Sequence, residues 1–320
     1  MENLNILVVI PAEERHRAYL EEQAAGKNCH FTYRTPAEAT DEEIQNADLI
    51  IGNVPAGKLK ASPKLRWMQL NSAGADAYVV PGVLGEKTIL TNSAGAYGTS
   101  VSEHMVAMSF ALVRRFGQYM RRQTEHKWQV MGKVTSIENA TVLVLGLGDI
   151  GGKYAKKMHA LGAHVIGVRR SVREKPDYLD EVHILDDLDT LLPRADMVAM
   201  VLPGGPQTEH LMDERRLRRM KPGAYLLNDG RGNAIDPEAL KRVLRDGHLG
   251  GVGLDVTEPE PLPETDELWD FENVIITPHI AGKFLLQQTF ENVVHIAGEN
   301  LKACLNGEEM THLVNRKFGY

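Results

Sequence analysis

Cysteine is nearly absent from this chain, with only Cys29 and Cys304 among 320 residues. Two thiols are too few for a disulfide framework, show no metal-type spacing, and fit a reducing compartment in which they serve as packing residues. Positive charge is not in excess either. Against 36 Lys and Arg stand 43 Asp and Glu, for a net charge of −7, which removes the electrostatic case for a nucleic acid or an anionic membrane as the main partner. Long apolar runs are missing as well. Stretches such as Val106–Val113, interrupted by Ser109, fall far short of the roughly 20 residues of a membrane span. The opening Met1-Glu2-Asn3-Leu4-Asn5 carries an acid and no secretory h-region. There is no internal repeat, low-complexity tract or Gly/Ser linker. These absences leave a soluble, cytoplasmic globular protein as the expectation.

What remains is ordinary globular composition, 43% hydrophobic and 25% charged, and a length that implies two domains at roughly 150 residues each. Short apolar or β-branched runs alternate with helical patterns along most of the chain. Leu4–Ile10, His30–Tyr33, Leu49–Ile51, Trp67–Leu70 and Thr88–Thr91 read as one set of strands. Thr141–Leu145, His164–Val168, Met197–Val201, Ala224–Asn228, Gly251–Leu254 and Val274–Thr277 read as a second. Strands separated by helical segments imply parallel sheets covered on both faces, and hence an α/β fold.

Between the sets, Ser100-Val101-Ser102-Glu103 has the pattern of a capping box, and Met105, Met108 and Leu112 continue it as one apolar stripe. A second long helix is predicted over Leu285–Leu305, followed by a polar tail from Thr311 to Tyr320 without a further strand. The economical arrangement inserts the second set into the first. It gives one domain from 1–99 with 284–320 and another from 100–283.

After the predicted strand Thr141–Leu145 comes Gly146-Leu147-Gly148-Asp149-Ile150-Gly151, and then a helical run. A Gly-x-Gly-x-x-Gly in that setting is a dinucleotide-binding turn. Gly146 permits the tight bend, Gly148 lets backbone approach a pyrophosphate, Gly151 allows close packing, and the helix N-terminus favours the anion. At the end of the next strand an NAD site normally carries an acid for the ribose 2′-hydroxyl. Here Val168 is followed by Arg169-Arg170-Ser171, which suits a 2′-phosphate and points to NADPH, with NADH possible.

Three later segments place polar residues just past predicted strands: Asn228-Asp229-Gly230-Arg231-Gly232, Asp255-Val256-Thr257-Glu258-Pro259-Glu260-Pro261-Leu262, and Thr277-Pro278-His279-Ile280-Ala281-Gly282. Ligands bind outside the carboxyl ends of such strands. Together with Ser72-Ala73-Gly74-Ala75-Asp76 and the Gly95–Glu103 stretch, these motifs extend along nearly the whole chain. In them the sequence resembles the D-isomer-specific 2-hydroxyacid dehydrogenases. The separations agree as well, 29 positions from Arg231 to Glu260 and 19 from Glu260 to His279.

The resemblance implies a Rossmann dinucleotide-binding domain inserted into a flavodoxin-like substrate domain. It also implies Arg231, Glu260 and His279 as catalytic residues. Hydride arriving at C2 of a 2-oxo acid leaves negative charge on the carbonyl oxygen, which a protonated His279 stabilises and then protonates. Glu260 on the other ring nitrogen favours the charged ring, and Arg231 can fork onto the substrate carboxylate. By the same resemblance Asp255 lies near the nicotinamide carboxamide, and Ala73 and Gly74 offer backbone N–H groups to the substrate. Pro203 and Thr208 shape a loop over the cofactor. Asp236 caps the helix that begins at Pro237, and no metal is expected. Tyr97 stands where many relatives have asparagine, and Phe284 and Asn53 are further candidates for the pocket lining.

The expected activity is NADPH-dependent reduction of a small 2-oxo acid, of glyoxylate or hydroxypyruvate type, to the (R)-2-hydroxy acid. Three alternatives are weighed against it. Formate dehydrogenases share the architecture but pair the histidine with glutamine, which Glu260 argues against. Phosphoglycerate dehydrogenases usually add a regulatory domain that this chain ends too early to hold. Corepressor-like dinucleotide sensors keep much of the catalytic set, and the lack of an interaction tail counts against that reading. A homodimer built around the Ser100 helix is expected, with the aromatics of Phe116–Trp128 available to cross a two-fold axis.

Overall fold

Short strands rich in Val, Ile and Leu, buried on both faces, are the raw material of parallel sheets. In a computed structural model describing residues 3–171 and 174–317, twelve strands, most of this kind, form two sheets in which every strand pair is parallel. The chain divides into two units, Met1–Tyr97 with Phe284–Tyr320, and Gly98–Lys283.

The first unit holds β1 (Leu4–Val8), β2 (Cys29–Tyr33), β3 (Leu49–Ile51), β4 (Trp67–Gln69) and β5 (Ile89–Thr91), ordered β2-β1-β3-β4-β5. This is the flavodoxin-like order. Alternation along β1 sends Leu7 and Val9 to one face, with Ile50, Met68 and Leu90. Ile6 and Val8 go to the other, where Phe290, Val294 and Leu301 of the helix Gln287–Asn306 cover them. Full burial of each such side chain contributes about 1.5–3 kcal/mol. That helix begins two residues later than expected and stops at Gly307, whose φ of +70° is a left-handed helix end that favours glycine. The tail, expected to add no strand, adds among the described residues a single antiparallel bridge, Leu313 with Thr91. Val314 N–H donates to Leu90 O at 2.9 Å, so the tail covers the open edge of β5.

The second unit holds β6 (Thr141–Leu145), β7 (His164–Arg169), β8 (Glu181–Ile184), β9 (Met197–Met200), β10 (Tyr225–Asn228), β11 (Gly251–Leu254) and β12 (Val274–Ile276). Their order is β12-β11-β10-β9-β6-β7-β8. This is a Rossmann sheet with one added edge strand, and its topological switch point lies between β6 and β9. β8 was not anticipated, because Glu181-Val-His-Ile184 is an edge strand of half-buried, largely polar residues. The expected cap at Ser100 is corrected. The helix runs Gly98–Val113, so Ser100 lies inside its first turn and its hydroxyl donates to Ala281 O at 2.7 Å instead. The stripe of Met105, Met108 and Leu112 is buried as expected. A Cβ at Gly253 would stand 2.2 Å from Met108 Sδ, so this glycine is what lets the helix lie close on β11. No helix among the described residues is long and apolar enough to cross a membrane.

Candidate active site

The glycine turn after β6 has the form its chemistry requires. Gly146 has φ +98°, and a Cβ there would meet Val201 O at 2.5 Å. A Cβ on Gly151 would meet Gly146 O at 1.8 Å, whereas Gly148 faces open space. The first glycine therefore turns the chain, the third seats the helix, and the middle one leaves an unobstructed approach. Gly148 is the N-cap of the helix Asp149–Ala160, whose first N–H groups, Ile150 and Gly151 among them, are the ready donors for an anion. The Asp149 carboxylate pairs with Lys153 at 2.7 Å. At the end of β7 stand Arg169, half-buried, and the exposed Arg170 and Ser171, with no acid among them. Arg169 Nη2 donates to Glu174 O at 2.9 Å. The Pro203–Thr208 loop is closed on itself by Thr208 Oγ1, which donates to Pro203 O at 2.9 Å.

Past β10, β11 and β12 the structure brings the three polar segments together. Asn228 Nδ2 donates to Arg231 O at 2.8 Å and its Oδ1 accepts from Gly230 N–H at 3.1 Å, fixing the arginine turn. Arg231 Nη1 donates to Gly230 O at 2.9 Å. A Cβ on Gly232 would fall 1.8 Å from Thr257 O, so only glycine lets this turn press against the loop that carries Glu260. Glu260 Oε1 accepts from Thr257 N–H at 3.2 Å, and Oε2 lies 2.9 Å from His279 Nδ1. Both side chains of that pair stay substantially exposed, 51% for His279 and 39% for Glu260.

His279 sits at φ +50°, a left-handed conformation uncommon for a residue with a Cβ. Asp255 holds it there. The Asp255 carbonyl accepts His279 N–H at 2.8 Å. Its buried carboxylate accepts from Thr277 Oγ1, Ile280 N–H and Ala281 N–H at 2.7, 2.9 and 3.1 Å. His104, from the long helix, adds a contact to Thr277 Oγ1 at 3.0 Å. Asp255, expected only beside the cofactor, is thus also the clamp of the histidine loop. Asp236 caps the helix Pro237–Arg245 as expected, accepting from Glu238 and Ala239 N–H at 3.0 Å each.

The remaining candidates belong to the first unit. Asn53 accepts from Asn71 N–H and donates to Ser72 Oγ, both at 3.0 Å. Ser72 Oγ donates to Gly74 O at 2.7 Å, and Asn92 Nδ2 to Ala73 O at 2.8 Å. Asn53, Ser72 and Asn92 therefore shape the Ala73–Gly74 loop. Tyr97 is buried and its hydroxyl donates to Asn71 O; burial pushes its phenol pKa up. Phe284 packs into its own unit, its ring centroid 4.9 Å from that of Phe290.

Two features near the site went unnoticed in the sequence. His210 Nε2 pairs with Glu258 Oε2 at 2.8 Å, which raises the imidazole pKa and ties the end of the Pro203–Thr208 loop to the loop of Glu260. The other is Asp229, a buried acid one residue past β10. Its signal was an acid between a strand end and a glycine, where the backbone leaves little access to water.

A Rossmann sheet, a glycine turn opening onto a helix N-terminus, and a histidine–carboxylate pair at the strand ends define a dinucleotide-dependent α/β oxidoreductase. Residues 106–281 match the family described as D-isomer specific 2-hydroxyacid dehydrogenase, NAD binding domain. The chain is 33% identical over 288 residues to Glyoxylate/hydroxypyruvate reductase B of Pectobacterium carotovorum subsp. carotovorum, covering 88% of this chain and 87% of that one. Among solved structures, a D-isomer specific 2-hydroxyacid dehydrogenase family protein from Aeromonas salmonicida superposes with a TM-score of 0.85 at 30% identity, covering 98% and 100% of the two chains. The D-isomer specific 2-hydroxyacid dehydrogenase from Xanthobacter autotrophicus, in complex with NADPH and MES, gives 0.82 at 26% identity, with both chains fully covered. The chain belongs to the D-isomer-specific 2-hydroxyacid dehydrogenases, NAD(P)-dependent enzymes that bind a nicotinamide cofactor. The open approach at Gly148 and the helix N-terminus behind it fit that cofactor's pyrophosphate.

Proposed function

We propose that this enzyme reduces a small 2-oxo acid, of glyoxylate or hydroxypyruvate type, to the (R)-2-hydroxy acid at the expense of NADPH. The observation that carries the reading is the 2.9 Å pairing of His279 Nδ1 with Glu260 Oε2, on a loop locked by Asp255. With Nδ1 engaged, Nε2 is the nitrogen left to meet substrate, and no hydrogen bond from it is formed among the described residues. Bound NADPH supplies the hydride to C2. His279 gives its Nε2 proton to the carbonyl oxygen, and Glu260 stabilises the imidazolium beforehand and orients the neutral ring afterwards. Arg231 holds the substrate carboxylate, and Ala73 and Gly74 offer backbone N–H groups to the substrate. Asn53, Tyr97 and Phe284 act on substrate through the packing and loop geometry they set. Asp255 meets the nicotinamide carboxamide, and Gly146, Gly148, Asp149, Ile150 and Gly151 cradle the pyrophosphate. Pro203 and Thr208 form the loop beside it. The names of the relatives support this reading: the Pectobacterium protein is a glyoxylate/hydroxypyruvate reductase, and the Xanthobacter enzyme was solved with NADPH.

Arg169 and Arg170, with Ser171, are the proposed 2′-phosphate clamp. A hydrogen bond to a charged group contributes about 1.5–3 kcal/mol. The double variant Arg169→Ala/Arg170→Ala is therefore expected to lose about 10- to 100-fold in kcat/KM for NADPH and little for NADH. The test follows loss of reduced-nicotinamide absorbance with both cofactors and a panel running from glyoxylate and hydroxypyruvate to branched and aromatic 2-oxo acids. Wild-type efficiency with NADH equal to or above that with NADPH sinks the clamp. Tight nucleotide binding without turnover of any acid favours a dinucleotide sensor instead.

The enzyme is also proposed to work in the cytoplasm as a homodimer. Phe110, Phe116, Met120, Trp128 and Val130 are large apolar side chains left exposed in one stretch of sequence, and they support that reading. Sedimentation is expected to give a dimer, and a monomer independent of concentration would refute it.

A further inference from the structure

The turn after β10 holds a group that the scheme above does not use. Asp229 lies between Asn228 and Gly230-Arg231. Its N–H donates to Met200 O of β9 at 3.1 Å, and the Asn228 side chain braces the turn beyond it, so its position is set by sheet and turn together. The residue is 8% exposed, and neither carboxyl oxygen has a hydrogen-bond partner among the described residues. Buried polar groups are normally paired, and an exception calls for an explanation. Burial first, and then the negative charge of Asp255 past the neighbouring β11, hold the Asp229 carboxyl well above the ordinary carboxylate range. A neutral acid is the form such a site tolerates.

The groups around it do not neutralise it. The oxygens of Asp255 already receive three donors. Tyr154, from the helix Asp149–Ala160, is fully buried, with its hydroxyl engaged by Ser109 Oγ at 2.9 Å and Met197 Sδ at 3.3 Å. His104 stands 3.8 Å from Asp255 Oδ1, and Arg231 turns one guanidinium N–H to Gly230 O. Asp229 is thus an uncompensated acid at the carboxyl edge of the sheet, on the same turn as the proposed substrate arginine.

We propose that Asp229 is a buried proton store whose occupancy follows the charge of the nicotinamide: it keeps its proton beside the neutral reduced ring and gives it to solvent when the cationic oxidised ring binds. The inference rests on the reading that the strand ends of β10 and β11 receive the nicotinamide. A cation near a buried carboxyl favours its ionised form, and by linkage the ionised form favours the cation. Asp229 in this role is a positioning residue for charge. Its consequence is that affinity for NADP+ relative to NADPH rises with pH.

Calorimetric titration of NADP+ and NADPH into wild type and Asp229→Asn, in buffers of different ionisation enthalpy, counts the protons released. Wild type is expected to release more protons with NADP+ than with NADPH, and Asp229→Asn to lose a substantial fraction of one proton from the NADP+ count. Contributions of His279 and Glu260 are common to both proteins and cancel. Asp229→Thr, smaller and also unable to ionise, should repeat the result. Equal counts in wild type and variants would overturn the inference while leaving the site assignment intact. Failure of either nucleotide to bind wild type would overturn the reading beneath it, and the inference with it.

Thermal unfolding gives a second readout without cofactor. The native protein keeps the Asp229 proton after the unfolded chain has lost its own, so this acid costs stability increasingly as pH rises from about 4. The Tm advantage of Asp229→Asn should therefore grow from pH 5 to pH 8, taken as roughly neutral limits of the ordinary working range. A difference that stays flat with pH would show Asp229 ionised and refute the store.

Discussion

Replacing His279 with Ala is expected to lower kcat for the 2-oxo acid by about 10²–10⁴-fold, the usual contribution of a positioned general acid, with the fold intact. Its side chain is 51% exposed, so truncation opens no cavity in the core. The loop it occupies is held by the hydrogen bonds of Asp255, none of which involves the imidazole. The left-handed backbone at φ +50° does complicate the alanine variant, since a residue with a Cβ is strained there. His279→Asn is therefore the companion, because asparagine accepts that conformation more readily and cannot act as the acid. Both should bind NADPH with near wild-type affinity, measured by fluorescence, and fail at turnover. Glu260→Gln should lose less, since the ring keeps a hydrogen-bonding partner but loses the carboxylate beside it. Wild-type-like turnover in either His279 variant would remove the general-acid assignment.

How much of this was legible in the sequence depended on how local the cause was. Most strands of both sheets could be read because they are short apolar runs whose burial on two faces leaves no other use for them. Several of their ends fell one or two residues away, since hydrogen bonding to a neighbouring strand decides the boundary. β8 escaped because an edge strand needs no apolar run. In the Gly146–Gly151 turn the work of the first and third glycines was legible, because close approach admits no side chain at Gly146 or Gly151. Ser100 misled for the opposite reason: its pattern is a local cap, but Ala281, distant in sequence, takes the hydroxyl. Asp255, Asn53 and Tyr97 show the same limit. Each could be placed near a site by resemblance, yet what its polar atoms touch is settled by loops far along the chain. Asp229 was passed over because nothing in its neighbours reveals that both its oxygens are buried without a partner.

Arg231→Ala is the second variant with a large expected effect. A guanidinium bound to a carboxylate through two charge-assisted hydrogen bonds contributes about 3–6 kcal/mol when each is worth about 1.5–3 kcal/mol, equivalent to about 10²–10⁴-fold in kcat/KM. How that loss divides between kcat and KM identifies what the arginine does. If it only anchors the carboxylate, ground state and transition state lose equally and KM carries the change; if it also fixes the carbonyl for hydride transfer, kcat falls with it. The turn favours the second outcome. Asn228 holds the Arg231 carbonyl, and Gly232 presses the turn onto Thr257 beside the loop of Glu260, so the arginine is mounted on the same framework as the acid pair. Arg231→Lys keeps the charge but not the fork, and should recover part of KM and little of kcat. Affinity for NADPH should stay near wild type in both. Should NADPH affinity fall in step with turnover, Arg231 would be a brace of the glycine turn, and the carboxylate would have to be held elsewhere.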